Sequence, residues 1–343
     1  MAPPNHDPLT PEDALRLNVL LAGELLAVRI DEGAAVLFGL TPRGEARVQL
    51  NPAGRAERYF QQVRELLGGH ALGSPGGYPV YLRRWTRMGQ ASAKNLEALL
   101  KLGEPEAALA VAHAPTLSDE LARRVWWALP TPETARVMLE RAAVRAGAMG
   151  PVLADYLIEH LPFEEDPIAA MHTVRAVLAA GVLAPAARDA LWAKAKRRPH
   201  YLIGFLEHLP AGLPAEAALP PLEGLGDTAA ARLLARVRGG TGQAWLKAAE
   251  LALDKPPAHE AVYLLLDLIG AYFADGREAA AQLPARPAEA AALAALACVS
   301  NAAAEPILTR TTAVGPLMRR HLEPLFAPMI AHLRLLRGQM NEP

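Results

Sequence analysis

The spacing of hydrophobic and polar residues changes once along this chain, near residue 52. Upstream, three short runs at 25–31, 35–41 and 45–51 carry Val, Ile, Phe or Thr and are separated by turns that contain Gly. Short runs of this composition between turn residues are typical of β-strands. They predict a three-stranded antiparallel β-meander.

A helix is predicted in front of the meander. Thr10 supplies a hydroxyl N-cap, Pro11 suits the first helical position, and the two acids that follow suit the positive end of the helix dipole. Residues 1–9 are expected to be disordered. We therefore predict a small α+β N-terminal part over residues 10–89.

From residue 90 onwards the pattern becomes helical, and Pro or Gly stands at most junctions. Ser118 and Thr131 are predicted N-caps, and the last helix is predicted over 314–337. Short connections make successive helices antiparallel neighbours, so we expect an α-solenoid-like array of antiparallel helix pairs over 90–337. The protein is therefore predicted to be mainly α. A Pro- and Gly-rich stretch at 209–227 is a candidate break, and 338–343 form a tail.

One short sequence occurs twice in the predicted array. YLIEHLP at 156–162 is repeated as GFLEHLP at 204–210, an offset of 48 residues. Asp155 and Glu159 share a helix face four residues apart, which indicates solvated like charges. His160 and His208 each directly follow a glutamate, and adjacent helical residues do not face each other, so neither Glu-His pair predicts a metal site.

Composition narrows the class of protein. Hydrophobic residues make up 52% of the chain but aromatic residues only 5%, so Ala and Leu dominate, and both favour helices. The net charge of -1 carries no global signal for nucleic-acid binding. The single Cys298, predicted to be buried, favours a reducing compartment, so the cytoplasm is expected. No apolar run reaches the ~20 residues of a membrane span, so no membrane insertion is expected.

The candidate interaction residues combine aromatic rings with arginines. A segment over 78–87 contains no acid, and a second group lies within 119–128. Such side chains anchor protein partners, and they also hold single-stranded nucleic acid by stacking and phosphate contacts. A protein partner of unknown identity is the main interpretation, and RNA or single-stranded DNA is the alternative. The predicted interaction residues are Tyr78, Tyr81, Arg83, Arg84, Trp85, Arg87, Arg123, Arg124 and Trp127.

Sequence motifs for catalysis are not found. The chain has no HExxH, no Cys/His zinc spacing and no G-x-S-x-G. We predict no catalytic residues, no metal ligands and no cofactor. An enzyme whose site is assembled from distant helices stays open as a further alternative.

Four stretches carry a resemblance to a known family: YPVYLRRWTRMGQ, LLKLGEPEAALAVAHAP, DELARRVWWALP and AGAMGPVLADYLIEHLPFEEDP. In these the chain resembles the sulfur-oxidation protein DsrS family, encoded with the reverse-acting dissimilatory sulfite reductase of sulfur-oxidising bacteria. The resemblance implies a soluble cytoplasmic accessory protein of stored-sulfur oxidation, without cofactor, that acts on expression of the sulfite-reductase gene cluster. It implies no catalytic residues.

Overall fold

A computed structural model of the chain describes residues 9–52, 55–73 and 93–339. Residues 1–8 of the predicted disordered stretch 1–9 and residues 340–343 of the predicted tail 338–343 lie outside these ranges. The chain divides into two units, Met1–Ala154 and Asp155–Pro343. The prediction of a mainly α protein is confirmed, since 64% of the described residues are helical.

The N-terminal elements follow the predicted order. Helix α1 (Pro11–Leu21) begins at Thr10, whose hydroxyl accepts a hydrogen bond from the Asp13 backbone N–H at 3.2 Å. The next three elements form an antiparallel sheet in the order β1-β2-β3, in which Leu37 pairs with Ile30 on one side and Val48 on the other. These strands are β1 (Ala27–Asp31), β2 (Val36–Thr41) and β3 (Gly44–Gln49). The predicted helix and meander are confirmed.

Helix α2 (Ala56–Leu72) packs with α1 and the sheet around one hydrophobic cluster. Beside it, the fully buried Asp13 carboxylate accepts hydrogen bonds from the Tyr59 hydroxyl at 2.5 Å and from Asn51 through its backbone N–H at 3.1 Å and its amide at 3.0 Å. Burial raises the pKa of Asp13, but the hydrogen bonds from Tyr59 and Asn51 outweigh burial and lower it overall. This ionised carboxylate therefore ties α1 to α2 and to the chain that leaves β3.

Short helices complete the first unit. Ser118 and Thr131 act as predicted, because each hydroxyl accepts a hydrogen bond at 3.2 Å from a backbone N–H three residues ahead. The division between the units falls inside the last of these helices. They are α3 (Ala93–Leu99), α4 (Pro105–Ala112), α5 (Asp119–Ala128), α6 (Pro132–Leu139), α7 (Ala142–Arg145) and α8 (Met149–His160).

The described part of the second unit is built from helices and contains a large hydrophobic core. Helix α9 packs against α11, and α11 packs against α13. The helices are α9 (Pro167–Ala180), α10 (Pro185–Ala195), α11 (Pro199–His208), α12 (Ala229–Arg238), α13 (Gly240–Asp254), α14 (His259–Tyr272), α15 (Ala279–Gln282), α16 (Pro287–Ala297), α17 (Glu305–Leu308), α18 (Gly315–His321) and α19 (Glu323–Leu336). The regular stacking of an α-solenoid stays a prediction.

The structure refines two predictions, the last helix and the break at 209–227. The single helix predicted over 314–337 is divided into α18 and α19. Pro324 has no N–H to donate to the carbonyl of Arg320, which explains the interruption. The segment 209–227 contains no helix or strand, as its proline content indicates. It nevertheless lies within the second unit, where the Leu219 backbone N–H donates to Arg238 at 2.9 Å.

Cys298 departs from its predicted burial. Helix α16 ends at Ala297, and Leu293 and Leu296 are the residues of its last turns that point into the core. Cys298 follows the helix end and is exposed. Among the residues that the structure describes, no helix is both long enough and apolar enough to cross a membrane.

Candidate interaction face

Six of the predicted interaction residues lie outside the described part of the chain. They are Tyr78, Tyr81, Arg83, Arg84, Trp85 and Arg87. Their role in binding stays a prediction from the sequence. The other three, on α5, can be placed.

Arg123 and Arg124 share one carboxylate on their own helix. Arg123 donates to Glu120 through Nε at 2.9 Å and Nη2 at 2.7 Å, and Arg124 donates to it through Nε at 3.0 Å. These hydrogen bonds, led by the one from Arg123, lower the pKa of Glu120 to about 2. Arg124 also reaches Glu97 on α3 at 3.4 Å. Both guanidinium groups are thus partly neutralised within the first unit.

Trp127 joins α5 to the sheet. Its indole Nε1–H donates to the Glu45 carboxylate at 3.0 Å, and the same carboxylate lies 3.2 Å from Arg29. The Arg29 guanidinium lies 4.4 Å from the Phe38 ring centroid and 5.2 Å from that of Trp127. Aromatic, cationic and anionic groups therefore form one internal cluster. This cluster accounts for Trp127 within the fold, and a contact with a partner stays a prediction.

A different surface emerges where α8 runs into the 3₁₀ turn Leu161–Phe163. Tyr156, His160 and Phe163 are spaced by four and three residues, which places them on one side of the helix. The rings of Tyr156 and His160 stack at 5.8 Å, and those of His160 and Phe163 lie 6.4 Å apart. Phe163 is 77% exposed. Tyr156 and His160 are half-buried, and Leu157 and Leu161, which directly follow them, are buried.

The stretch of sequence that carries these rings is acidic. Between Arg145 and Arg175 the chain has no Lys or Arg, whereas it has five acids. These acids are Asp155, Glu159, Glu164, Glu165 and Asp166.

Most of these five acids are exposed to solvent. Asp155, Glu159 and Glu165 are exposed and form no ion pair with any described residue. We call the surface formed by Asp155, Tyr156, Glu159, His160, Phe163 and Glu165 the acidic aromatic face. The sequence did not single out Phe163, and its exposure in the structure distinguishes it from a core residue.

The second occurrence of the Glu-His-Leu-Pro sequence has another environment. Arg175 on α9 donates to Glu207 through Nε at 2.5 Å and Nη2 at 3.0 Å, and His208 lies 3.3 Å from it. Burial raises the pKa of Glu207, but the hydrogen bonds from His208 and Arg175 outweigh burial and bring it to about 2. His172, which lies 3.4 Å from Arg175, pairs with Glu260 on α14 at 2.8 Å. These charged groups therefore connect α9, α11 and α14.

A cavity of about 430 Å³ lies between the end of α13 and the start of α18. Its lining is dominated by Pro256, Pro257 and Pro316, with Lys255 and Arg319 as the cations. Arg319 is already paired with Glu323 and lies over the Phe326 ring at 5.3 Å. Among the described residues no group of three or more His, Cys, Asp or Glu side chains is arranged to hold a metal ion.

Comparisons of the chain with protein-family models, with curated proteins and with solved structures return no match. The resemblance to the DsrS family therefore stays a prediction from the sequence.

Proposed function

We propose that this protein is a non-catalytic accessory or regulatory protein of sulfur oxidation that acts by binding a protein partner. The observation that carries the binding role is the acidic aromatic face, in which Phe163 is 77% exposed and Asp155, Glu159 and Glu165 are exposed as well. The resemblance of the sequence to the DsrS family supports the link to sulfur oxidation. The proposed location is the cytoplasm, because a chain with a single cysteine suits a reducing compartment.

Exposed aromatic side chains are strong anchors for partners. Full burial of a Phe side chain contributes roughly 1.5–3 kcal/mol. Phe163 is 77% exposed, so most of this free energy of burial is obtained only when a second surface covers the ring. Tyr156 and His160 continue the aromatic part of this face over two turns of helix. This part of the face is thus suited to an interface centre, where aromatic residues contribute most of the binding energy.

The acids select the kind of partner. Five acids within residues 155–166 repel the phosphates of nucleic acid, which is bound through Lys and Arg. They attract a basic protein surface and speed its encounter. Direct RNA or DNA binding, the alternative drawn from the sequence, would have to use the basic segment 78–87 instead.

The shifted carboxylates are explained by the fold. Glu120 and Glu207 have pKa values of about 2 because arginines on the same or a packed helix bind them, and Asp13 is bound by Tyr59 and Asn51. Asp13 and Glu207 join elements of structure, and Glu120 holds two arginines of its own helix. Their shifted pKa values need no catalytic role.

The experiment is a pull-down from cell lysate with the wild type, with Phe163→Ala and with the matched control Leu15→Ala, an equally conspicuous exposed apolar residue in the first unit. We expect a partner that survives nuclease treatment, is lost with Phe163→Ala and is kept with Leu15→Ala. Loss of the partner on nuclease treatment would favour the nucleic-acid alternative. Retention by Phe163→Ala would remove this face from the proposal. A partner unrelated to sulfur metabolism would contradict the sulfur-oxidation role.

A further inference from the structure

We propose that the acidic aromatic face binds the basic aromatic segment 78–87 of a second copy of this chain. The inference rests on the proposed function, since it takes the face to be a protein-binding surface. It goes further by naming the occupant.

Charge complementarity between the two regions is the first reason. Residues 78–90 contain Arg83, Arg84 and Arg87 and no acid, whereas residues 155–166 contain five acids and no Lys or Arg. Asp155, Glu159 and Glu165 are exposed, and no ion pair with a described residue has to break when they are bound. Arg bound to carboxylate is among the stronger charge-assisted hydrogen bonds.

Aromatic complementarity is the second reason. The segment carries Tyr78, Tyr81 and Trp85, and the face presents Tyr156 and Phe163. Arginine stacks on aromatic rings while it binds a carboxylate. The first unit contains one such cluster, in which Arg29 lies 4.4 Å from the Phe38 centroid and 3.2 Å from Glu45. We infer that the face and the segment form the same kind of cluster between two molecules.

Dimensions and symmetry are compatible with this pairing. A ten-residue segment can extend over roughly 30 Å. Across the face, the helical residues 155–160 rise by about 9 Å, and the 3₁₀ turn Leu161–Phe163 adds about 6 Å. Each molecule has one face and one segment, so a two-fold dimer makes the contact twice.

Two charge-reversed variants test the pairing by sedimentation equilibrium. One reverses the segment with Arg83→Glu, Arg84→Glu and Arg87→Glu. The other reverses the face with Asp155→Arg, Glu159→Arg and Glu165→Arg. The control reverses three exposed acids elsewhere that have no ion pair with a described residue, Glu24→Arg, Glu223→Arg and Asp275→Arg.

We expect the wild type and the control to dimerise, and each reversed variant alone to dimerise at least about tenfold more weakly, because like charges then face each other. An equimolar mixture of the two reversed variants should dimerise again, because both contacts become complementary. Circular dichroism and thermal unfolding of each variant ensure that loss of dimer is not loss of fold.

Three results overturn the inference: a wild type that is monomeric over a roughly hundredfold range of concentration, a dimer that neither reversal weakens, or a mixture of reversed variants that stays monomeric. A monomeric wild type would also result if the segment bound the face of its own molecule. None of these results affects the pull-down with Phe163→Ala. The proposed function can therefore hold even if the face does not bind a second copy of the chain.

Discussion

The sequence Glu-His-Leu-Pro occurs twice in the second unit, and its two glutamates have opposite environments. Glu159 in the first copy is exposed and has no ion pair with a described residue. Glu207 in the second copy is 21% exposed and is bound by Arg175 at 2.5 and 3.0 Å. The same four residues at a helix end therefore place one glutamate in solvent and the other against an arginine of a neighbouring helix.

The residue three positions before each glutamate accounts for the difference. In the second copy this is Gly204, where an added Cβ would lie 2.8 Å from the Val174 Cγ1 and 3.1 Å from the Arg175 backbone nitrogen. The missing side chain lets α9 approach α11, and this approach places Arg175 beside Glu207. In the first copy the position is Tyr156, whose ring stacks on His160. The close helix contact, and not the local motif, decides the state of the glutamate.

Gly204→Tyr places the tyrosine of the first copy into the second, and it should have the largest effect. The ring has no room against α9, so we expect a loss of about 3 kcal/mol or more in the free energy of unfolding, the upper range for overpacking. Urea denaturation followed by circular dichroism measures it. Stability near that of the wild type would show that the helices do not approach as closely as Gly204 indicates.

Glu207→Gln should have the next largest effect. The change leaves the Arg175 guanidinium, which is 28% exposed, without its carboxylate. Loss of one partner of such a hydrogen-bonded charge costs roughly 1–3 kcal/mol. The matched control Glu159→Gln removes the same charge from the same motif and should change stability by less than about 0.5 kcal/mol. Equal effects of the two changes would contradict the comparison.

The pH dependence of Glu207 should follow from its pKa of about 2, lowered from the ordinary 4.5. A carboxyl group with a lower pKa in the folded state adds stability above its unfolded pKa and loses that contribution as the pH falls through its folded pKa. The stability difference between wild type and Glu207→Gln should therefore be constant above about pH 5 and shrink towards pH 2. Denaturation series over this range measure it. A difference that does not shrink in acid would show that Glu207 acts by packing alone.

Phe163→Ala should have the smallest effect on stability. Because Phe163 is 77% exposed, its truncation removes little buried surface, and we expect a change below about 0.5 kcal/mol. The same variant should lose the partner in the pull-down. Thermal unfolding of the purified variant checks the first expectation. A marked destabilisation would mean that the ring packs against the rest of the protein and is not available to a partner.

The sequence by itself determined the features that depend on neighbouring residues. The runs of Val, Ile and Phe predicted the three strands, and Thr10, Ser118 and Thr131 predicted helix starts that the structure confirms. In each case the interaction spans no more than one helical turn or one short hairpin. The division between α18 and α19 could also have been found, because Pro324 is its signal.

Only the tertiary structure decided which polar and aromatic residues are free. Trp127 is bound by Glu45, 82 residues away, and Glu207 by Arg175, 32 residues away, whereas Glu159 and Phe163 remain uncovered. The shared Glu-His-Leu-Pro does not distinguish Glu159 from Glu207, and the glycine at 204 takes its meaning only from the helix that packs against it. Burial and ion pairing depend on which helix packs against which, and a partner from a distant part of the chain leaves no trace in the spacing of nearby residues.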